Sequence, residues 1–182
     1  MIPLCIVPSV FGQSALARVR SQVRDSVFSP ATTIDARGNI VVDDHSRRTG
    51  VAEGDWQLKL DDIVGSLRDI VVSVNNSHFR FDISGIFLWQ LIKYDPGSYH
   101  SWHTDWKLDE HHSRKLSVVV PITAGDDYMG GDLVIQGDDV EVGSRRAGDA
   151  NIFSGITRHK VTPLARGNRV VLVGWALGRH FS

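Results

Sequence analysis

From residue 79 to residue 175 the chain is a succession of short β-type runs divided by Gly, Asp and Asn: Phe79-Arg80-Phe81-Asp82-Ile83, Gly85 to Tyr94, Leu116 to Ile122, Leu133-Val134-Ile135, Val140-Glu141-Val142, Asn151-Ile152-Phe153, His159 to Leu164 and Arg169 to Trp175. Many short strands between turn formers predict an antiparallel sandwich or jelly roll. Ahead of them lie two helical patterns. Behind Ser14, a plausible N-cap, Leu16, Val19, Val23 and Val27 step by three and four, with Arg18, Arg20 and Arg24 read as a solvated stripe on the other face. Trp56, Leu60, Ile63, Leu67, Ile70 and Val74 then repeat in steps of four and three until Asn75-Asn76-Ser77. Residues 31 to 45 read as a hairpin around Ala36-Arg37-Gly38-Asn39, and Ser46 to Gly54 as a loop.

The expected fold class is therefore mainly β with N-terminal helices, a jelly roll buttressed on one sheet by two helices. A length of 182 residues suits one domain, with supporting strands and helices over 1–75 and a jelly-roll core over 76–182. Apolar residues make up 42% of the chain, enough for a core. Twenty Lys plus Arg against 21 Asp plus Glu leave a net charge of −1, so no basic field supports nucleic-acid binding. The lone Cys5 can form neither an internal disulfide nor the Cys pairs of a zinc ribbon, which fits a reducing cytoplasm. The opening Met1-Ile2-Pro3-Leu4-Cys5-Ile6-Val7-Pro8 lacks a basic leader and reads as a strand. No run approaches the roughly 18 to 20 apolar residues that cross a bilayer. Oligomeric state is not encoded in any of these patterns.

Four of the eight histidines fall between residues 100 and 112. His103 and Asp105 share a face if they lie on one strand, because strand side chains alternate. Both can then chelate one ion. A third ligand from another strand, with His159 the obvious candidate, makes the two-His-one-carboxylate arrangement of non-haem Fe(II) oxygenases. Ten residues later Arg169 opens a strand in which Val171, Val173 and Trp175 share its face. That face points inward, and a buried guanidinium demands an anion. If Arg166-Gly167-Asn168 form a three-residue loop joining paired strands, His159 and Arg169 fall on one face, about 13 to 20 Å apart along the ladder. Tyr94 ends another strand and can offer the same anion a phenol. Trp102 and Trp106 alternate away from the metal face. Asp109-Glu110-His111-His112 reads as a polar loop in preference to a second metal site, Asp43-Asp44-His45 likewise, and Arg47-Arg48 as a solvated loop in preference to a contact to a substrate or another subunit; Lys160 points away from the ligands. Neither a Gly-x-Ser-x-Gly elbow nor a phosphate-cradling Gly-Lys-Ser/Thr loop occurs, so hydrolase and NTPase readings lose support.

Tyr94-Asp95-Pro96-Gly97-Ser98-Tyr99-His100-Ser101-Trp102-His103-Thr104-Asp105 resembles the Tyr-x-x-Gly-x-x-Tyr-x-x-His-x-Asp signature of Fe(II)- and 2-oxoglutarate-dependent dioxygenases of the prolyl 4-hydroxylase type. Tyr128-Met129-Gly130-Gly131-Asp132-Leu133, Gly148-Asp149-Ala150-Asn151-Ile152-Phe153 and the stretch from His159-Lys160-Val161-Thr162-Pro163 through Arg169 to Trp175 are similar to that family's later blocks. The resemblance covers roughly residues 79 to 177. It implies a double-stranded β-helix in which His103, Asp105 and His159 hold iron, Arg169 grips the distal carboxylate of 2-oxoglutarate, and Tyr94 assists. Where many relatives have a further cosubstrate-contacting tyrosine, this chain has Pro121, which as a non-donor favours a bulge or an edge.

The implied reaction consumes 2-oxoglutarate and dioxygen, releases succinate and carbon dioxide, and hydroxylates an unactivated C–H bond. Because related halogenases give up the carboxylate ligand, Asp105 points to hydroxylation. The expected substrate is peptidyl or free amino acid, proline-like, or another small molecule. Two rival readings are a non-catalytic metal-binding jelly-roll module and a cupin-like metalloenzyme that does not use 2-oxoglutarate.

Overall fold

The structure, a computed structural model, describes residues 4–34, 39–106 and 113–179. In chain order β1 (Leu4–Val7) precedes α1 (Gln13–Asp25), then β2 (Phe28–Pro30), β3 (Thr33–Ile34), β4 (Ile40–Val41), β5 (Arg47–Arg48) and β6 (Gly50–Ala52). The helices α2 (Trp56–Lys59) and α3 (Asp61–Val74) lead into β7 (Phe87–Tyr94), β8 (Tyr99–His103), β9 (Ser113–Pro121), β10 (Met129–Gly130) and β11 (Leu133–Gln136). Last come β12 (Val140–Val142), β13 (Ala150–Ser154), β14 (His159–Val161), β15 (Leu164–Arg166) and β16 (Arg169–Gly178). Two antiparallel sheets result, ordered β1-β13-β9-β16-β7-β6-β2 and β12-β11-β14-β8-β5, which is the expected helix-buttressed jelly roll.

Two cores share the larger sheet between them. Alternation along β16 sends Val170, Leu172 and Ala176 to one side, against Val19 of α1 and Leu67 and Val71 of α3. It sends Val171, Val173 and Trp175 to the other, against Leu133, Ile135 and Val161 of the smaller sheet. With both faces covered, β9 and β16 are buried along their whole length. Their near-continuous apolar sequence reflects that. Among the described residues no helix is long and apolar enough to cross a membrane.

Several elements differ from the sequence expectation. Helix α1 is preceded by Gly12 as N-cap, not Ser14, and Val27 lies beyond its end, 69% exposed. Two of its three arginines are engaged: Arg20 donates through Nε and Nη2 to the Ile122 carbonyl at 3.0 and 2.9 Å, and Arg18 pairs with Asp62 of α3, while Arg24 is exposed as expected. The second helix breaks at Leu60 (φ −120°, ψ 19°). At its far end it runs on as a π-helical turn, Asn75–Phe79, after which Arg80 is left-handed. The buried Asn75 amide holds both polar groups of Phe81, donating to its carbonyl at 2.9 Å and accepting its N–H at 3.0 Å. Residues 79–83 therefore form no strand. The 31–45 hairpin exists as β3 paired with β4, although Ala36, Arg37 and Gly38 of its turn lie outside the described residues. Residues 46–54 are not a loop: β5 adds to the smaller sheet and β6 to the larger. Pro121 lies neither at an edge nor in a bulge but at the last position of central β9, where the strand ends.

Leu67 is fully buried between α3 and the sheet. Leu67→Ala is expected to cost about 2–5 kcal/mol by cavity formation, read as a lowered urea midpoint with unchanged slope.

Candidate functional site

The smaller sheet brings two of the three candidate ligands together. β14 pairs with β8 so that His159 stands opposite His103. Asp105 lies two residues beyond the end of β8, off the strand that the sequence spacing assumed; Trp106 N–H to Gly155 O (2.8 Å) ties the segment down. The Ser117 hydroxyl donates to Asp105 Oδ2 at 2.7 Å. The ligating atoms of His103, Asp105 and His159 all lie within 4.8 Å of one another, the one such cluster among the described residues.

Each histidine is oriented by its other ring nitrogen. His103 Nδ1 is 2.7 Å from the Ser101 carbonyl and His159 Nδ1 is 3.0 Å from the Thr157 carbonyl. A carbonyl only accepts, so both Nδ1 atoms carry the proton and both Nε2 lone pairs are free. Nε2 of His103 and of His159 approach the Asp105 carboxylate at 3.7 and 3.5 Å. Burial pushes the His159 pKa down, which keeps it a neutral donor at neutral pH. In the metal-free site burial raises Asp105, but the hydrogen bond and charge of His103 when protonated, the charge of His159 when protonated and the Ser117 hydroxyl outweigh it, and the group lies below the usual carboxylate range. Two imidazoles and one carboxylate on one small volume fit a divalent transition metal such as iron.

The cluster opens on a cavity of about 340 Å³ between the sheets. Arg169 enters from the opposite wall. Its strand neighbour is Tyr94, whose ring lies 4.8 Å under the guanidinium; both side chains are buried. The expected hairpin joining His159 and Arg169 does not form. β14 lies in the smaller sheet and β16 in the larger, so the two residues face one another across the sandwich. The chain leaves β14 at Thr162-Pro163, where Thr162 is held by Asp132 and Pro163 has no N–H for a ladder, and crosses through β15. Gly131 (φ +66°) makes room for this arrangement, since a Cβ there would sit 3.0 Å from Arg169 Cδ and 2.9 Å from Leu164 Cδ1.

The cavity also receives groups that strict alternation hides. Between His159/Val161 and His103/His100 the β8 side holds one residue more than the β14 side, and this bulge returns His100 to the ligand face. Its ring stacks on His103 at 3.4 Å between centroids. Counted from His103, the second tyrosine position of the signature falls on His100; Tyr99 instead donates its hydroxyl to the Asp44 carbonyl. A second bulge, at Lys115, turns Arg114 onto the side of Trp175, with its guanidinium 4.0 Å over that ring. Arg47, expected in a solvated loop, lines the cavity from β5. Trp102, on the outer face of β8, carries Lys160 Nζ at 4.8 Å and reaches the cavity rim; Trp106 is not among the lining residues. Asp109-Glu110-His111-His112 lies outside the described residues.

Buried side-chain polar atoms without a hydrogen-bond partner among the described residues are Arg47 Nη2, Gln90 Oε1, Ser154 Oγ, Arg169 Nε and Nη1, and Trp175 Nε1. All but Ser154 belong to cavity-lining residues. Unpaired buried polar groups cost stability, so their concentration here marks a polar ligand's place.

The sequence profile of the 2OG-Fe(II) oxygenase superfamily matches residues 89–177. A PKHD-type hydroxylase of Gloeothece citriformis is 27% identical over 182 aligned positions, covering 93% of this chain and 76% of the relative. Further PKHD-type hydroxylases match over a shorter stretch, in which this chain spans 38% of the relative. A Pseudomonas putida prolyl-4-hydroxylase superposes with TM-score 0.72 at 19% identity, covering 98% of this chain and 94% of that one. A Trichoplax adhaerens prolyl hydroxylase does so with TM-score 0.78 at 17% identity, covering 97% and 84%. At these identities the structural likeness is one of fold.

Ser117→Ala leaves the three donors in place but frees the carboxylate, and is expected to weaken Mn(II) binding about 10- to 100-fold in calorimetric titration. Asp105→Ala should abolish it.

Proposed function

We propose that the chain, a 2-oxoglutarate-dependent dioxygenase of the 2OG-Fe(II) oxygenase type with a prolyl 4-hydroxylase-like fold, hydroxylates an unactivated C–H bond of an amino-acid-like substrate, with release of succinate and carbon dioxide. The observation that carries the reading is the pairing, across one cavity, of the His103, Asp105 and His159 cluster with the unpartnered Arg169 guanidinium.

Iron and 2-oxoglutarate, when bound, supply the oxidising chemistry in which dioxygen is consumed and the C–H bond becomes C–OH. What the chain contributes is placement and exclusion of water. Ser101 and Thr157 carbonyls fix the two imidazoles with their Nε2 lone pairs free, and Ser117 holds the Asp105 carboxylate toward them. Arg169 presents two unpartnered donors, Nε and Nη1, on a fixed cation, which suits the far carboxylate of a keto diacid. The anion in turn compensates a charge otherwise stranded 97% out of solvent. Tyr94 supports the guanidinium with its ring face, and Trp175 Nε1 is a further free donor on the same wall. Ile92, Val119, Leu133, Val161, Val171 and Val173 supply the apolar lining, and low local polarity strengthens each of these contacts.

Carboxylate retention at Asp105 favours hydroxylation over halogenation, because no coordination position is left open for a halide in its place. Whether the substrate amino acid is free or peptidyl is a separate matter, taken up below.

Purified protein loaded anaerobically with Fe(II) is expected to convert 2-oxoglutarate to succinate slowly without added substrate, measured by mass spectrometry. Absence of both this turnover and iron-dependent 2-oxoglutarate binding would overturn the reading. Arg169→Leu should raise the KM for 2-oxoglutarate about 10- to 100-fold, the worth of a charged hydrogen-bond pair, with Mn(II) affinity retained.

A further inference from the structure

Arg47 is the one cavity guanidinium that the proposed reaction does not use and whose contacts leave a donor turned inward. It lies on β5, opposite His100 of β8. Its Nε donates to Thr49 Oγ1 at 2.8 Å, which fixes the plane of the guanidinium, and Thr49 is itself buried. Nη2 is fully buried and has no partner among the described residues. The stem of the side chain is half-buried, so the charge is delivered inward from the rim and is not enclosed as Arg169 is.

Among the described residues the surroundings do not supply the missing anion. Asp43 lines the same part of the cavity, but its carboxylate is turned onto its own loop, where it accepts the His45 N–H at 3.1 Å, while the Ser46 hydroxyl donates to the Asp43 main-chain carbonyl. His100 carries no negative charge in any protonation state. Asp105 belongs to the metal-ligand cluster. In the charge balance of the loaded site, Asp105 and the two carboxylates of 2-oxoglutarate together match iron and Arg169. Arg114 has its guanidinium spread on the Trp175 ring, and Arg47 Nη2 is, beside the donors of Arg169 and Trp175, the cavity donor that lacks a partner among the described residues.

Position and size narrow what can answer it. His100, the cross-strand partner of Arg47, stacks on His103 at 3.4 Å, so a group held by Arg47 sits within one residue's width of the metal ligands. The cavity, at about 340 Å³, is at the small end of ligand pockets, roughly 300–1,000 Å³, and must also take 2-oxoglutarate. A planar guanidinium with a fixed Nε and a free Nη2 is suited to a carboxylate.

From the unpartnered Arg47 donor and the small cavity we propose that Arg47 anchors a carboxylate of the substrate, and that the substrate is a small carboxylic acid of amino-acid size and not an internal residue of a polypeptide. The inference rests on the oxygenase reading above and names the substrate class of that same site.

The experiment pairs each of the twenty free L-amino acids with its α-carboxamide, and adds N-acetylated, C-amidated peptides containing the same residues. Two readouts are taken: the melting temperature of the Mn(II)- and 2-oxoglutarate-loaded protein, and stimulation of succinate formation by the Fe(II) form. At least one free acid should raise both, with its carboxamide at least 10-fold weaker. Arg47→Gln should raise the KM for that acid about 10- to 100-fold with a smaller change in kcat, and should erase its advantage over the amide. Arg47→Lys should restore part of that advantage. Mn(II) titration of each variant reports whether the ligand cluster is intact.

Equal response to acid and amide, no response to any free acid, stimulation by the capped peptides alone, or equal loss of acid and amide binding in Arg47→Gln would each overturn the proposal. A wild-type protein that makes no succinate from 2-oxoglutarate would sink the oxygenase reading instead, while the melting-temperature comparison still decides the role of Arg47.

Discussion

The structure is organised around charge held in a place that water does not reach. Arg169 and Asp105 sit inside a sandwich whose inner core is built largely of Val, Ile, Leu and aromatic side chains. Such groups are tolerated only where counter-charges and hydrogen bonds are fixed in advance. Each fixed partner visible here is short-range and comes from a neighbouring strand: Ser117 from β9 for Asp105, Tyr94 from β7 for Arg169. The two charges stand on opposite walls, so neither neutralises the other. That separation is what leaves room for a ligand bearing both a metal-binding end and an acidic end.

Holding two walls at a set distance is the task of the rest of the chain. The larger sheet is sealed on its outer side by α1 and α3, so β9 and β16 are packed from both directions. Arg20 adds a specific tie, closing the carbonyl of Ile122 just where β9 ends at Pro121. The smaller sheet has no helical cover in the described residues and carries exposed Val140 and Val142 on its edge strand. Its position is set from the inside, by Leu133, Ile135 and Val161 against the larger sheet. The segment 47–52, which serves both sheets through β5 and β6, bridges them at the open side of the cavity.

Much of this was legible in the residues. The apolar alternation of Val171, Val173 and Trp175 placed Arg169 on the interior face, and helix periodicity placed Leu67 in a core. His103, Asp105 and His159 were found because metal ligation demands specific residue types, whatever the backbone does. What escaped detection depended on non-local pairing. Two-residue strands such as β5 carry no periodic signal, and Arg47-Arg48 read as solvent-facing for want of a partner strand. The assignment of β14 and β16 to different sheets followed from Pro163 and the Asp132 contacts of Thr162, not from the turn at Gly167. Phe79 to Ile83 had strand-like composition, but the Asn75 amide captured the backbone of Phe81 first.

The extra residue in β8 has an evolutionary reading. His103 is positioned from one side of the irregularity and His100 from the other. Losing a single codon between them would leave the His103 end of the strand in register while turning the upstream end of β8 to its other face, exchanging an imidazole for the Tyr99 phenol. Length variation in this one strand is thus a route to a different cavity wall that leaves the His103, Asp105 and His159 cluster undisturbed.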